Sequence, residues 1–220
     1  MISRNLRMFI MAAAITTFLI LPGISLADSP GLAVGQKGDY AHAWPTVIYE
    51  SDATVAVGVL DQRPYVRSGK KAPNYCGVMR AAIGKEWDME TRSGQPLPDD
   101  VAGAIVDGLM SNAIQAKVVP ISSKDSQEQA MAKLLNSGCD RLILLDMKEW
   151  QSDSYYRLGF FIDATMYVYD AQGNLLASGT ASHKTQGEGD GTVKAPETAA
   201  AGYLSRLLNN EKIKVALNGK

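Results

Sequence analysis

The chain has 220 residues, with 22 Lys and Arg against 23 Asp and Glu. A formal charge of −1 lacks the basic surplus that marks a nucleic-acid-binding domain. The length suits one domain, or one domain with a flexible lead, and an apolar fraction of 46% is that of a chain with an ordinary core.

Residues 1–27 read as a secretory signal peptide. Arg4 and Arg7 make a positive start, and residues 8–21 are almost unbroken apolar sequence. Pro22 and Gly23 break that run, and Ser25 and Ala27 put small residues at the −3 and −1 positions of a cleavage after Ala27. The run is about 14 residues, short of the roughly 20 that span a bilayer, with an uncleaved anchor as the competing reading. Cleavage removes Arg4 and Arg7 and leaves 20 basic against 23 acidic groups, a formal charge of −3. No Cys near the cleavage site can accept lipid, and no second long apolar segment follows. The expected product is soluble and periplasmic, with no integral membrane span.

Cys76 and Cys139 then sit in an oxidising compartment, where a disulfide can persist. Their bond would close a loop of about 60 residues, worth roughly 3–4 kcal/mol. Two separate small core residues are the alternative.

Residues 28–52 are rich in Gly, Ala and Pro, with Tyr40, Trp44 and Tyr49 scattered among them, and read as an extended lead outside a single domain over 53–220. The run from Thr54 to Leu60 is apolar and β-branched, as in a buried strand, and Pro64 ends its ladder. Strands are expected from Tyr75 to Ile83 and from Glu86 to Thr91. Asp99 and Asp100 sit in the first turn of a helix whose Leu97, Val101, Ile105 and Leu109 form one apolar face. Ala104, Gly108 and Ala113 leave room for that helix on a sheet. A short strand follows over 117–121. Ser126 and Gln129 fit a capping box, opening a helix that stops at Gly138.

The strongest strand runs from Asp140 to Trp150, with a polar break over 151–154. Residues 155–170 alternate: Phe160, Ile162, Ala164, Met166 and Val168 point one way, Phe161, Asp163, Thr165, Tyr167 and Tyr169 the other. Asp170 to Asn174 is a hairpin loop with a returning strand from Leu175. A last helix carries Tyr203, Leu204, Leu207 and Leu208, and the tail from Glu211 is short and mixed. This order predicts an α/β (α+β) two-layer sandwich, a mixed, mostly antiparallel sheet with helices on one face.

Catalytic and metal signatures are thin. There is no G-x-S-x-G turn, no H-E-x-x-H, no C-x-x-C and no phosphate-cradling glycine motif, so no cofactor is expected. Three features point to binding. Asp61, Arg63 and Tyr65 sit at the end of a buried strand, where binding residues concentrate. Arg80 and Trp87 are of the types that anchor protein interfaces. Trp150, Tyr155, Tyr156, Phe161, Tyr167 and Tyr169 would form an interaction patch if their sheet face is uncovered; the alternative is that the lead segment covers it.

The strand from Thr54 to Arg63, the helix from Asp99, the strand from Asp140 to Asp146 and the hairpin around Asp170 resemble YajG-like and transport-auxiliary lipoproteins of the Gram-negative envelope, over about 54–210. That resemblance implies a non-enzymatic accessory factor with an envelope protein as partner. This chain departs from it in lacking the lipid-bearing Cys. A small-ligand, glycan or lipid-binding module is the second reading. A hydrolase using Asp61, Asp146 or Glu149 as acid and base is the third; it needs two carboxylates about 5–9.5 Å apart in a cleft.

Overall fold

The computed structural model describes residues 37–80, 85–154, 158–188 and 194–218. The expected signal peptide lies outside the described residues.

The molecule is organised around one long strand. β6 (Arg141–Ser154) pairs along one edge with β7 (Leu158–Asp170), which pairs in turn with β8 (Leu175–Glu188), both antiparallel. Its other edge is shared by two strands in succession. β2 (Val55–Asp61) runs parallel to Arg141 through Met147, and β3 (Tyr75–Arg80) runs parallel to Ser152 through Ser154. β5 (Ala116–Val118) extends the sheet beyond β2, while β4 (Glu86–Thr91) and then the two-residue β1 (Lys37–Gly38) extend it beyond β3. The mixed α/β class stands, but parallel pairings are more prominent than the sequence suggested. The expected polar break at 151–154 is continuous strand, because Ser152 and Ser154 turn inward and pair with both β3 and β7.

Nor is the fold a flat two-layer sandwich. The sheet is curled into a half-barrel, with irregular pairing between Tyr75 and Gly77, Met147 and Glu149, and Val168 and Tyr169. Such bulges bend and twist a strand locally. The helices also occupy both faces. β2 is buried along its whole length: Val55, Val57 and Val59 enter one core cluster, Ala56 and Leu60 a second. The larger cluster receives α2 (Leu97–Met110), α4 (Lys194–Leu208) and α5 (Glu211–Asn218) against Ile143, Leu145, Trp150, Phe160, Ile162 and Met166. The smaller lies under α3 (Gln127–Leu135), whose Ala130 and Leu134 meet Leu142, Leu144 and Ile121. A continuous apolar run such as β2 calls for cover on both sides. The tail read as mixed is α5, which contributes Ile213 and Leu217 to the core.

The capping box is present as expected: the Gln129 amide N–H donates to Ser126 Oγ (3.3 Å), and the Ser126 N–H to Gln129 Oε1 (2.8 Å). Cys76 and Cys139 are both free and buried, one in each cluster, as the alternative of two separate core residues had it. Burial pushes the Cys76 thiol up to about 12.

The described part of the lead segment is built into the fold, which corrects the boundary drawn at residue 53. Residues 43–50 alternate buried and exposed, with Ala43, Val47 and Tyr49 in the larger cluster and Trp44 and Ile48 turned outward. This strap has no strand beside it. Asn209, the residue after the end of α4, takes that place: its Nδ2 donates to Thr46 O (2.7 Å) and its Oδ1 accepts from the Ile48 N–H (3.1 Å). Ser205 Oγ accepts from the Thr46 N–H (2.9 Å), and Ser51 Oγ donates to Leu217 O (2.7 Å). Gly108 makes room for the strap rather than for the sheet: a Cβ there would stand 2.5 Å from Pro45.

Ile105 is completely buried in the larger cluster. Ile105→Ala is expected to lower unfolding stability by about 2–5 kcal/mol, measured by denaturant titration; a loss under about 1 kcal/mol would contradict this packing.

Candidate interaction face

The sheet face opposite the larger core carries a row of aromatic, hydroxyl and carboxylate side chains. On β7 it presents Phe161, Asp163, Thr165, Tyr167 and Tyr169, all partly exposed. β6 adds Asp146, Glu149, Gln151 and Asp153, and β8 adds Ser178, Thr180 and Ser182. α3 covers the end near Leu142 and Leu144, and Tyr169 packs against that cluster. The Tyr167 and Tyr169 rings lie 6.3 Å apart, tilted by 34°. Glu149 stands directly opposite Asp163, and Thr165 Oγ1 is 3.1 Å from Thr180 Oγ1.

The candidate residues divide sharply between this face and the interior. Arg63 is fully buried and serves the fold. It sits where β2 leaves the edge of β6 and β3 has yet to join it. Its Nε donates to Asp61 Oδ1 (2.9 Å) and its Nη2 to Asp61 Oδ2 (2.8 Å), a two-pronged pair. The rest of the guanidinium reaches backbone carbonyls: Tyr75 O (2.6 Å), Pro73 O (3.2 Å) and Trp150 O (3.4 Å). Burial works against the Arg63 charge, but the hydrogen bonds and charge of Asp61 outweigh it and hold the guanidinium pKa above its ordinary value. Trp150 is likewise a core side chain, edge-on to Phe160 at 5.8 Å. Neither residue is available to a partner, because both fill the interior.

Tyr65 lies on α1 (Pro64–Arg67), a short helix with Pro at its first position. Its hydroxyl donates to Glu149 Oε1 (2.6 Å), and its ring meets Tyr75 edge-on at 5.4 Å. Burial, opposed by the Arg63 charge and helped by Glu149, raises the Tyr65 pKa. Arg80 is half-exposed and forks onto Asp153, Nε to Oδ1 at 2.8 Å and Nη2 to Oδ2 at 2.9 Å, with Glu86 as a second partner. Trp87 does not share Arg80's side. It alternates with Glu86 and Asp88, so it lies on the side of Met89, with Lys85 Nζ 5.5 Å from its ring centroid. Tyr155 and Tyr156 lie outside the described residues.

The structure therefore brings Tyr65, Arg80, Tyr167 and Tyr169 onto one face, joined by Phe161. The described part of the lead segment, expected as an alternative cover for this face, packs into the opposite core instead. The sequence did not single out Gln151 and Tyr75. The polar residues 149, 151 and 153, spaced by two, were the available signal. Lys71 caps the Tyr75 ring at 4.8 Å while pairing with Asp88, and the Tyr75 hydroxyl donates to Gln151 Oε1 (2.9 Å).

Asp61 and Asp146 do not form an acid–base pair. Asp61 is committed to Arg63. Asp146 stands beside Leu60, one residue along β2 from Asp61, so the two side chains point to opposite faces. Asp146 Oδ1 is buried with no hydrogen-bond partner among the described residues. Burial, eased by Lys148 and reinforced by the Asp163 charge, raises the Asp146 pKa. No group of three or more His, Cys, Asp or Glu among the described residues is placed to hold a metal ion. None of the described helices is long and apolar enough to cross a membrane.

No family model matches the sequence, and no curated protein does. Among solved structures the chain is similar to a Xanthomonas campestris protein of the DUF330 family model, at 13% identity over 80% of this chain and 85% of that one, TM-score 0.41. It is similar also to a PelC dodecamer from Paraburkholderia phytofirmans, at 10% identity over 80% and 95% of the two chains, TM-score 0.37. Lipoprotein GNA1162 from Neisseria meningitidis matches at 16% identity over 70% and 99%, TM-score 0.30. No residue role is carried over from any of them.

Two stability measurements check the electrostatics. Arg63→Met, which strands Asp61 and three carbonyls, is expected to cost about 3–5 kcal/mol. Adding Asp61→Asn to that variant should recover part of the loss and leave the carbonyl share, a ranking that denaturant titration of the three proteins reads directly. Asp146 has a folded-state pKa above its unfolded value, so its ionisation opposes folding as pH rises through that pKa. Asp146→Asn should therefore melt higher than the parent near pH 7, with the gap closing as pH falls toward about 4; a gap that is constant with pH would remove Asp146 as its source.

Proposed function

We propose that this chain is a non-enzymatic accessory protein of the bacterial envelope, exported by its N-terminal 27 residues, that binds a protein partner through the open face of β6, β7 and β8. The observation that carries the reading is the composition of that face. Phe161, Tyr167 and Tyr169 stand in one row along β7, partly exposed, beside Asp163 and Glu149. Aromatic rings on a stiff sheet supply contact area at little entropic cost. The carboxylates ask for a partner that brings Lys or Arg together with apolar side chains. Export rests on the signal-peptide anatomy, and the accessory role on the sequence resemblance to envelope lipoproteins.

A photo-crosslinking residue at Phe161 or Tyr167, compared with one at the exposed Val215 of α5, tests the face in intact cells. The expected result is a discrete protein adduct from the two sheet positions and none from Val215. Adducts of equal yield from all three, or none from any, would overturn the reading. A melting temperature raised by cell-wall fragments or lipids, with no protein adduct, would favour a glycan- or lipid-binding module instead.

A further inference from the structure

β8 is the one long strand among the described residues with a free edge. It pairs only with β7, and the other outer strands are short: three residues in β5 and two in β1. From Ala177 to Gln186 its pairing with Gly159 to Val168 is unbroken, and the register shifts lie only at the two ends. An exposed edge of this length is a template for another strand, and chains that stay monomeric blunt such edges with Pro, bulges, several charges or a covering element. Here there is no Pro over 175–188, and Lys184 is the only formal charge between Ala177 and Gln186. The helices do not supply cover at the outward side chains: Ile213 of α5 and Leu207 of α4 approach Gly179 on the core side, while Ser178, Thr180, Ser182 and Lys184 are exposed on the other.

We infer that the edge of β8 is a self-association site at which two copies of this chain pair, antiparallel, about a two-fold axis near Ala181 or Ser182. The stretch is self-compatible. An axis through either residue sets Lys184 of one copy opposite Ser178 or Thr180 of the other, so like charges stay apart, and it faces short hydroxyl side chains with one another. Thr and Ser pairs of this kind are favourable across strands. A two-fold contact uses the same patch on both copies, the commonest closure among soluble oligomers. The joined strands continue the open face of one copy into that of the other. The pairing does not depend on what that face binds.

The mature chain is measured by sedimentation equilibrium over a concentration series, alongside Thr180→Lys/Ser182→Lys, which adds four positive charges to the two of Lys184 at the junction. The expected results are a dimer for the parent and a monomer for the double variant, with matching circular dichroism spectra. The double variant Thr180→Cys/Ser182→Cys adds an independent readout, since both native cysteines are buried. Mild oxidation should link it into a covalent dimer, through 180 and 182 for an axis at Ala181 or through the two copies of 182 for an axis at Ser182, and leave Val118→Cys, on the opposite edge strand, unlinked. A parent that stays monomeric at every concentration, or a dimer that survives both Lys substitutions, would overturn the inference.

Discussion

The fold depends on how one strand edge is shared between two partners. β6 offers fourteen residues, and neither β2 nor β3 covers that length. Between Met147 and Ser152 the edge has no strand beside it, and unpaired buried carbonyls are costly. Arg63 closes the breach. It is the second residue after the last of β2, so the strand that creates the gap also delivers the side chain that fills it. A guanidinium suits the task because its donors radiate in one plane and can serve several oxygens at once. Asp61 compensates the charge within the same two-residue turn. The Gln62 N–H donates to Met147 O (2.9 Å), carrying the β2 ladder to the brink of the gap.

This arrangement divides the sheet into two regions with different cover. The half built on β2 is sandwiched, with α2 on one side and α3 on the other. The half built on β3, β7 and the end of β6 keeps its core side under α4 and the strap, and its other side open. The switch at Arg63 thus marks where the second helical layer ends. Tyr65, two residues beyond, reaches across to Glu149 and ties the buried plug to the rim of the open face.

Much of the fold was legible where periodicity was unambiguous. The unbroken apolar run in β2 implied burial on two sides, although the sandwich drawn from it allowed only one. The alternation along β7 placed every inward and outward residue correctly from Phe160 to Val168. Reading failed where long-range partners replaced local pattern. The strap over 43–50 has period two, but Trp44 and Ile48 turn outward while Pro45 turns inward, so its hydropathy hides the alternation. Arg63 looked like a binding residue because sequence records a charge at a strand end and not the carbonyls around it. Cys76 and Cys139 fall on opposite sides of one sheet, which their spacing does not encode. The open face was half-visible: its aromatics alternate cleanly, while Tyr65 and Arg80 join it only through the curl of the sheet.

The hold of Asn209 on the strap has a consequence for the order in which the fold can form. The amide of a residue near the end of the chain stands in for the missing neighbour of residues near its beginning, across more than 160 positions of sequence. Contacts of such separation close late, after the loop entropy between them has been spent. A ribosome, or a translocation channel, releases the strap long before it releases α4. For that whole interval Val47 and Tyr49 have no finished pocket, and a segment made early is among the last to settle. Shortening the chain at its C-terminus therefore loosens it at its N-terminus.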